Sequence, residues 1–315
     1  MEAVTTADEI AGDAISVRRL TFAYAATPVL KDVEFTLRPG AVGLLGPNGS
    51  GKTTLLRALL GHLPLPPGAV VVRGQDMGRD PRAARRGLGW MPERGGIIPG
   101  MSGVSMVAYL GELSGMPPRD ALQRAHAAID YVGLAEERYR PVETYSQGMR
   151  QRIKLAQALV HDPVWVLLDE PTSGLDPKGR SGMLELVRDL ARRKGLGVIL
   201  STHLLPDVQA VCEEILVLRE GRLLAHERVA AREGAARVFE VEGFGDEEAF
   251  LARLAEAGAA AVRDRRFFIV TLSDGQGAAP ILAAAAATNF ALRRVRRQTA
   301  TLEDVFFQHL EQEEK

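Results

Sequence analysis

The feature that most constrains this chain is the segment GPNGSGKT, Gly46 to Thr53, which matches G-x-x-x-x-G-K-[ST] at every fixed position. The apolar run AVGLLG leads into it, and TTLLRALLGHL (residues 53–63) follows with helical spacing. Strand, glycine-rich loop and helix in this order form a phosphate-binding unit, because backbone N–H groups and the positive end of the helix dipole face the anion. We therefore predict that Lys52 reaches the β- and γ-phosphates of a nucleotide and that the Thr53 hydroxyl binds Mg²⁺. A glycine turn with a surface lysine is the alternative, and the flanking strand and helix disfavour it.

A second element ends in two acids. The apolar run VWVLLDE, residues 164–170, is typical of a strand buried on both faces of a parallel sheet. Such a strand delivers Asp169 and Glu170 to its carboxyl end, where open α/β sheets bind ligands. Asp169 is predicted to hold the magnesium, and Glu170 is predicted to orient and deprotonate the attacking water. Taken alone, this pattern could equally be a solvated strand end.

The chain reads as two domains of unequal size. Residues 1–14 are polar and are predicted to be a flexible N-terminus, and the nucleotide-binding pattern occupies residues 15–231. Residues 232–315 are predicted to form a separate set of elements in the order β-α-β-β-α-β, which is the ferredoxin-like order, with a further helix over 301–312. The basic run RRVRR, residues 293–297, is interpreted as an exposed face rather than a nucleic-acid or lipid site.

Composition excludes several classes of function. Lys and Arg total 39 against 40 Asp and Glu, so the net charge of −1 supplies no general attraction to nucleic acid, and no nucleic-acid partner is expected. The single cysteine, Cys212, has no intrachain disulfide partner, which favours a reducing compartment and a buried apolar role. No run approaches the roughly 18 to 20 apolar residues of a membrane-spanning helix.

The third motif decides the class. The segment YSQGM, from Tyr145 to Met149, opens a helix and places Ser146 23 positions before Asp169. At this point the chain resembles the ATP-binding subunits of ABC transporters over roughly residues 15 to 228. The Ser173–Asp176 loop and the histidine of STH, His203, follow in the order of that family.

The resemblance implies a fold and a set of site residues. The implied fold is an α/β P-loop NTPase with a RecA-like core, an antiparallel β subdomain and a helical subdomain over about 99–160, followed by the small α+β domain. Glu170 and His203 are implied as catalytic, His203 as the sensor of the γ-phosphate. The implied metal ligands are Thr53, Glu93 and Asp169, and the implied ATP-binding residues are Tyr24, Gly46, Pro47, Asn48, Gly49, Ser50, Gly51, Lys52, Thr53, Thr54, Ser146, Gly148 and Asp176.

Two positions depart from the family pattern. The signature reads Tyr-Ser-Gln-Gly-Met instead of Leu-Ser-Gly-Gly-Gln, although its serine and second glycine are kept. Glu93 stands where the family has a glutamine; it can still bind Mg²⁺ through oxygen, but it adds negative charge near the phosphates. Both variants look like the ABC-2 type exporter branch, whose chains tend to end in the sequence seen here as Leu302 to Phe306.

The function implied is that of an ATP-hydrolysing motor. Two copies, or this chain and a paralogue, are expected to enclose two ATP molecules, with Ser146 and Asp176 of one chain facing the nucleotide held by the other. The motor would drive separate ABC-2 type membrane subunits, and the chain would lie in the cytoplasm, peripheral on the membrane's inner face. Cofactors are ATP and Mg²⁺.

Two other classes of protein fit the sequence less well. A soluble ABC-type ATPase of chromosome organisation or DNA repair would carry a long coiled coil between Lys52 and Ser146, which are only 94 positions apart here. Translation factors of this type carry two cassettes, and this chain carries one. A metabolic P-loop kinase would leave Ser146, Asp176 and His203 unexplained.

Overall fold

The computed structural model describes Gly12 and residues 14–228, 237–264, 267–272 and 277–298. The chain divides into two compact units, Met1–Val229 and Ala230–Lys315. The sequence places the boundary between residues 231 and 232.

The elements are numbered in chain order. The first unit contains β1 (Ile15–Tyr24), β2 (Thr27–Leu37), β3 (Ala41–Leu45), α1 (Lys52–Leu59), β4 (Val70–Val72), β5 (Gln75–Asp76), α2 (Pro81–Arg85), β6 (Leu88–Met91), α3 (Gly103–Leu113), α4 (Pro118–Tyr131), α5 (Gln147–Leu159), β7 (Trp165–Asp169), α6 (Pro177–Arg192), β8 (Gly197–Ser201), α7 (Leu205–Val211), β9 (Glu214–Arg219) and β10 (Arg222–Arg228). The second unit contains β11 (Arg237–Gly245), α8 (Glu247–Glu256), β12 (Ala260–Asp264), β13 (Phe267–Leu272), α9 (Ala279–Ala287) and β14 (Phe290–Gln298).

A six-stranded sheet with the order β10-β9-β3-β8-β7-β6 is the centre of the first unit. Strands β9, β3, β8, β7 and β6 are parallel, and β10 pairs antiparallel with β9 at one edge. Every residue of β3, β7 and β8 is buried, which explains why their sequences are continuous apolar runs. Because these strands are parallel, their carboxyl ends meet at one edge of the sheet.

A second, antiparallel sheet has the order β2-β1-β4-β5. Leu30 and Phe35 from this sheet belong to the same buried cluster as Leu44 of β3 and Leu55 of α1. The helix after the phosphate loop is therefore held by apolar contacts with both sheets, which fixes the position of its N-terminus.

Helix α1 is shorter than its sequence predicts. The periodicity predicts a helix over residues 53–63, but the helix ends at Leu59. Gly61 adopts a left-handed φ of 63°, and a Cβ there would lie 2.5 Å from the Met77 sulfur. The chain turns at this glycine because α2 and its preceding loop pack against it, a tertiary contact that local spacing does not encode.

Helices α3, α4 and α5 form the predicted helical region. Ala121, Ala125 and Ile129 follow one another at four-residue intervals on α4 and are fully buried, whereas the rest of that helix is more polar. Within the described residues, no helix is both long enough and apolar enough to cross a membrane.

The second unit has the predicted β-α-β-β-α-β sequence of elements, and its sheet has the order β12-β13-β11-β14 with all neighbours antiparallel. Phe250 and Phe290 stack with ring centres 4.2 Å apart, and Phe268 packs edge-on against both. The helix predicted over 301–312 and the segment Leu302 to Phe306 lie outside the described residues.

The basic run of the second unit lies on β14. Arg293, Arg294 and Arg296 are exposed. In the sheet register, Arg294 lies opposite Glu242 and Arg296 opposite Glu240, so the neighbouring strand offers acidic partners to the run.

Candidate nucleotide site

The phosphate loop joins the buried strand β3 to α1. Gly49 and Gly51 adopt φ values of 83° and 105°, which side chains disfavour. A Cβ on Gly51 would lie 3.1 Å from the Val29 carbonyl oxygen, so a side chain there would also crowd the backbone of β2. Within the loop, Gly46, Ser50 and Gly51 are buried, whereas Pro47, Asn48 and Gly49 are exposed; Thr54, in the first turn of α1, is also buried.

Lys52 occupies the cradle that these glycines form. Its ammonium donates to the carbonyl oxygens of Gly46 at 2.7 Å and Pro47 at 3.1 Å. Burial lowers the pKa of Lys52, and the negative charges of Glu170 and Asp169 oppose that shift. A bound polyphosphate offers this cation charged acceptors that are stronger than two carbonyl oxygens.

Asp169, the last residue of β7, is buried at the same edge of the sheet. Its Oδ1 accepts from the Ser201 hydroxyl at 2.9 Å, and its Oδ2 accepts from the Thr53 hydroxyl at 3.2 Å. Desolvation raises the pKa of Asp169, these two hydrogen bonds lower it, and the charges of Glu93 and Glu170 raise it further. A carboxylate held this way favours the arrival of a cation.

Glu170 and His203 form the hydrogen-bonded pair of the site. Oε1 of Glu170 accepts from His203 Nδ1 at 2.9 Å and from the His203 backbone N–H at 3.1 Å, and Oε2 accepts from the Thr202 hydroxyl at 3.3 Å. Glu170 has a left-handed φ of 50°, and its backbone N–H donates to the Ser201 carbonyl at 2.9 Å. Such a backbone costs about 1–3 kcal/mol and concentrates at functional sites.

Tyr24 lies at the end of β1 beside α1. The residue is 42% exposed, its ring meets the Phe22 ring edge-on at 5.0 Å, and its hydroxyl accepts from Arg57 at 3.4 Å. An exposed aromatic face fixed in this way is available for stacking with a base.

The donor set fits Mg²⁺ when phosphate completes it. Thr53 and Asp169 provide two oxygens that already contact each other, and oxygen ligands are those that Mg²⁺ prefers. In the described part of the chain, no three His, Cys, Asp or Glu residues form a metal-binding group by themselves. Glu93 lies at the edge of this group of oxygen ligands. Its carboxylate is 42% exposed and lies 3.6 Å from Arg94, and its charge raises the pKa of Asp169.

Ser146 caps helix α5 and is exposed. Its hydroxyl accepts from the Met149 backbone N–H at 3.3 Å. Gly148 has open space beside it, since a Cβ there would meet only Leu175 at 3.9 Å. The sequence therefore places a serine and free backbone N–H groups at an accessible helix start.

Asp176 caps helix α6 in the same manner, because its Oδ1 accepts from the Gly179 backbone N–H at 2.9 Å. The loop before it is tied to α5, since Gln151 Nε2 donates to the Ser173 carbonyl at 3.2 Å. In the single chain Asp176 is therefore a helix cap, and its surface is free to contact another chain.

One residue of the site, Asp207, does not appear among the sequence predictions. Asp207 on α7 is fully buried; it accepts from the Thr172 hydroxyl at 2.5 Å and from Arg180 Nε at 2.6 Å. The ion pair with Arg180 joins α6 to α7, and the hydrogen bond from Thr172 joins the loop after Glu170 to α7. An acid at the start of a helix resembles an ordinary dipole partner in sequence, so only the contacts with Thr172 and Arg180 reveal it.

A phosphate loop, a buried acid beside its threonine and a second carboxylate at the same edge of the sheet are the arrangement of a P-loop NTPase. The family profile described as ABC transporter matches residues 30–173. The chain is 32% identical over 233 residues to the linearmycin resistance ATP-binding protein LnrL of Bacillus subtilis, covering 73% of this chain and 75% of that one. It is 32% identical over 251 residues to Nod factor export ATP-binding protein I of Ralstonia nicotianae, covering 77% of each.

The fold agrees with solved structures. The ATP-binding cassette MJ0796, solved as a dimer bound to ADP and Pi, superposes with a TM-score of 0.62 at 22% identity over 69% of this chain and 99% of that one. This chain belongs to the ATP-binding proteins of ABC transporters. It is an ATPase that powers a transporter, and the predicted family, fold class and enzyme class are confirmed.

Proposed function

We propose that this chain hydrolyses ATP in a site made of its own phosphate loop, Asp169, Glu170 and His203, completed by the signature segment of a second chain. The observation that carries the proposal is the Glu170 carboxylate, held by His203 and Thr202 at the sheet edge where Lys52 and Asp169 also lie. Each of these residues comes from the end of a neighbouring parallel strand or its following loop, which is where α/β sheets bind ligands.

The roles follow from the chemistry of each group. Lys52 is placed to exchange its two carbonyl acceptors for the β- and γ-phosphates. The buried hydroxyl of Ser50 has no hydrogen-bond partner among the described residues and is free to donate to phosphate. Glu170 is the general base: a carboxylate that accepts several hydrogen bonds can still accept a proton from a water on its free lone pairs. Tyr24 would stack on the base.

Mg²⁺ would be held by Thr53 and Asp169 together with phosphate oxygens, with Glu93 as a further oxygen ligand. When bound, the ion neutralises charge on the phosphates. The pKa of Asp169 is raised by burial, and a neighbouring cation would lower it.

The second half of each site comes from another chain, either a second copy or a paralogue. Ser146 and Asp176 are exposed at helix starts, and the Ser146 hydroxyl, which accepts from Met149, keeps its own hydrogen to donate to a further acceptor. A cassette of the same fold, MJ0796, was solved as a dimer. Ser146 is proposed to contact the γ-phosphate held by the facing chain.

We further propose that the transporter is an exporter with separate ABC-2 type membrane subunits, and that this chain works at the cytoplasmic face of the membrane. Relatives named for linearmycin resistance and for Nod factor export support this direction. Tyr145, where the family has leucine, has a defined place: its buried hydroxyl donates to the Glu137 carbonyl at 2.7 Å. The second unit is proposed to be an accessory domain, because the nucleotide site is built from residues before 231.

The composite site predicts opposite results for two substitutions at Ser146. Asp and Asn both cap helices well, so α5 keeps its N-cap in Ser146→Asp and Ser146→Asn. Only aspartate brings a negative charge to the facing γ-phosphate. On a Glu170→Gln background, Ser146→Asp is expected to prevent ATP-driven dimers and Ser146→Asn to retain them, as measured by light scattering.

ATP binding by the single chain, measured by calorimetry, is the control and is expected to be unchanged in both variants, because it depends on Tyr24, Lys52 and Thr53. ATP-dependent dimers of equal abundance in the Asp and Asn variants would contradict the proposed role of Ser146.

A further inference from the structure

Lys154 is a buried cation to which the proposed reaction gives no role. Its ammonium donates to the carbonyl oxygens of Pro92 at 2.8 Å and Glu93 at 2.9 Å. Burial lowers the pKa of Lys154, and the negative charges of Glu93 and Asp169 oppose that shift. An ammonium is costly to bury unless acceptors replace water, so these two carbonyl oxygens are what stabilise it.

The loop that carries Glu93 approaches α5 closely. Gly95 and Gly96 have nearly equal left-handed φ values of 73° and 75°. A Cβ on Gly96 would lie 3.0 Å from Gln157 Nε2 and 3.3 Å from Lys154 Cδ, whereas a Cβ on Gly95 would meet nothing within 4 Å. The loop therefore rests on the α5 face that bears Lys154 and Gln157.

Helix α5 connects this contact with the opposite half of a composite site. It begins directly after Ser146, and Lys154 lies two turns further along the same helix. The charge of Glu93 acts both on Lys154 and on Asp169, so the loop lies near the magnesium side of the site.

We propose that Lys154 is a positioning residue: by holding the carbonyl oxygens of Pro92 and Glu93, it fixes the Glu93 loop for Mg²⁺-dependent nucleotide binding. The inference rests on the proposed role of Glu93 as an oxygen ligand. Helix α5 also carries Ser146. The contact at Lys154 therefore links the proposed Mg²⁺ ligand Glu93 of one nucleotide site to the serine that faces the nucleotide held by the other chain.

The quantity to measure is the Mg²⁺ enhancement, defined as the ratio of ATP affinities with Mg²⁺ and with a chelator, both obtained by calorimetry on the full chain. Loss of a residue that orients a metal ligand typically costs roughly 10–100-fold in metal affinity. We expect Lys154→Met to reduce the Mg²⁺ enhancement by about tenfold while ATP affinity in chelator is unchanged. In a Glu93→Ala background, Lys154→Met is expected to change the ratio no further, because no ligand is left to position.

Matched glycine variants separate contact from backbone strain. Gly96→Ala crowds the side chains of Gln157 and Lys154 and is expected to lower the ratio as Lys154→Met does, whereas Gly95→Ala carries the same φ penalty without this crowding and is expected to keep it. Lys194→Met, at an exposed lysine, controls for loss of charge.

Four outcomes overturn the inference. They are an unchanged ratio in Lys154→Met, an equal loss with and without Glu93, equal ratios in the two glycine variants, and an unchanged ratio in Glu93→Ala. If Lys154→Met does not fold, the glycine pair decides. If the proposed role of Lys154 is wrong, the proposed ATPase site is unaffected. That site is tested separately, by hydrolysis in the wild-type chain and its loss in Glu170→Gln.

Discussion

Glu170→Gln is expected to lower the rate of ATP hydrolysis by roughly 10²–10⁴-fold, the usual contribution of a general base. Glutamine has the same shape, and its amide oxygen can still accept from the His203 Nδ1 and backbone N–H groups that now contact Oε1. What it loses is the ability to take a proton from water. Phosphate release in steady state measures the rate.

ATP affinity is expected to be unchanged in this variant, because the phosphates are held by the loop before α1. Glu185→Gln, which removes an exposed carboxylate on α6, is the matched control and is expected to hydrolyse ATP at the wild-type rate. Hydrolysis by Glu170→Gln at the rate of that control would contradict the assignment of Glu170 as the general base.

Lys52→Ala is expected to weaken ATP binding itself. A hydrogen bond to a charged group contributes about 1.5–3 kcal/mol, which corresponds to about 10- to 150-fold in the dissociation constant. The alanine variant also leaves the Gly46 and Pro47 carbonyl oxygens without their donor, so they would face the incoming phosphates. Calorimetry with ATP measures the loss.

Lys194→Ala is the control for Lys52→Ala. Lys194 is exposed and lies over the Tyr131 ring at 4.4 Å, a contact unrelated to the phosphate loop. We expect its removal to leave ATP affinity unchanged. Equal affinities in the two alanine variants would show that the cradle around Lys52 does not bind the nucleotide.

Much of the fold could be predicted because its sequence signals are local. The continuous apolar runs of β3 and β7 indicate strands buried on both faces, and glycines mark the loop before α1. The β-α-β-β-α-β order of the second unit follows from alternating periodicities. The resemblance also implied Ser146 and His203 as site residues, which no spacing rule alone could do, and their roles stay predictions.

The remainder could not be predicted because it depends on contacts between distant segments. Helix α1 ends early because Gly61 turns against Met77. Asp207 acquires its role from Thr172 and Arg180, 35 and 27 positions away. A lysine between two apolar residues of a helix is expected to point to solvent, because neighbours in sequence lie on different faces. Lys154 is nevertheless buried, at the contact with the Glu93 loop.

The most direct test of the central claim is hydrolysis by a mixture of two inactive chains. Lys52→Ala removes the phosphate-loop cation, and Ser146→Asp repels the facing γ-phosphate, so neither homodimer has an intact site. A mixed dimer regains one site, formed by Lys52 of one chain and Ser146 of the other. Random pairing predicts recovery of up to about a quarter of the wild-type rate of phosphate release. A mixture no more active than the sum of its two components would contradict a site shared between chains.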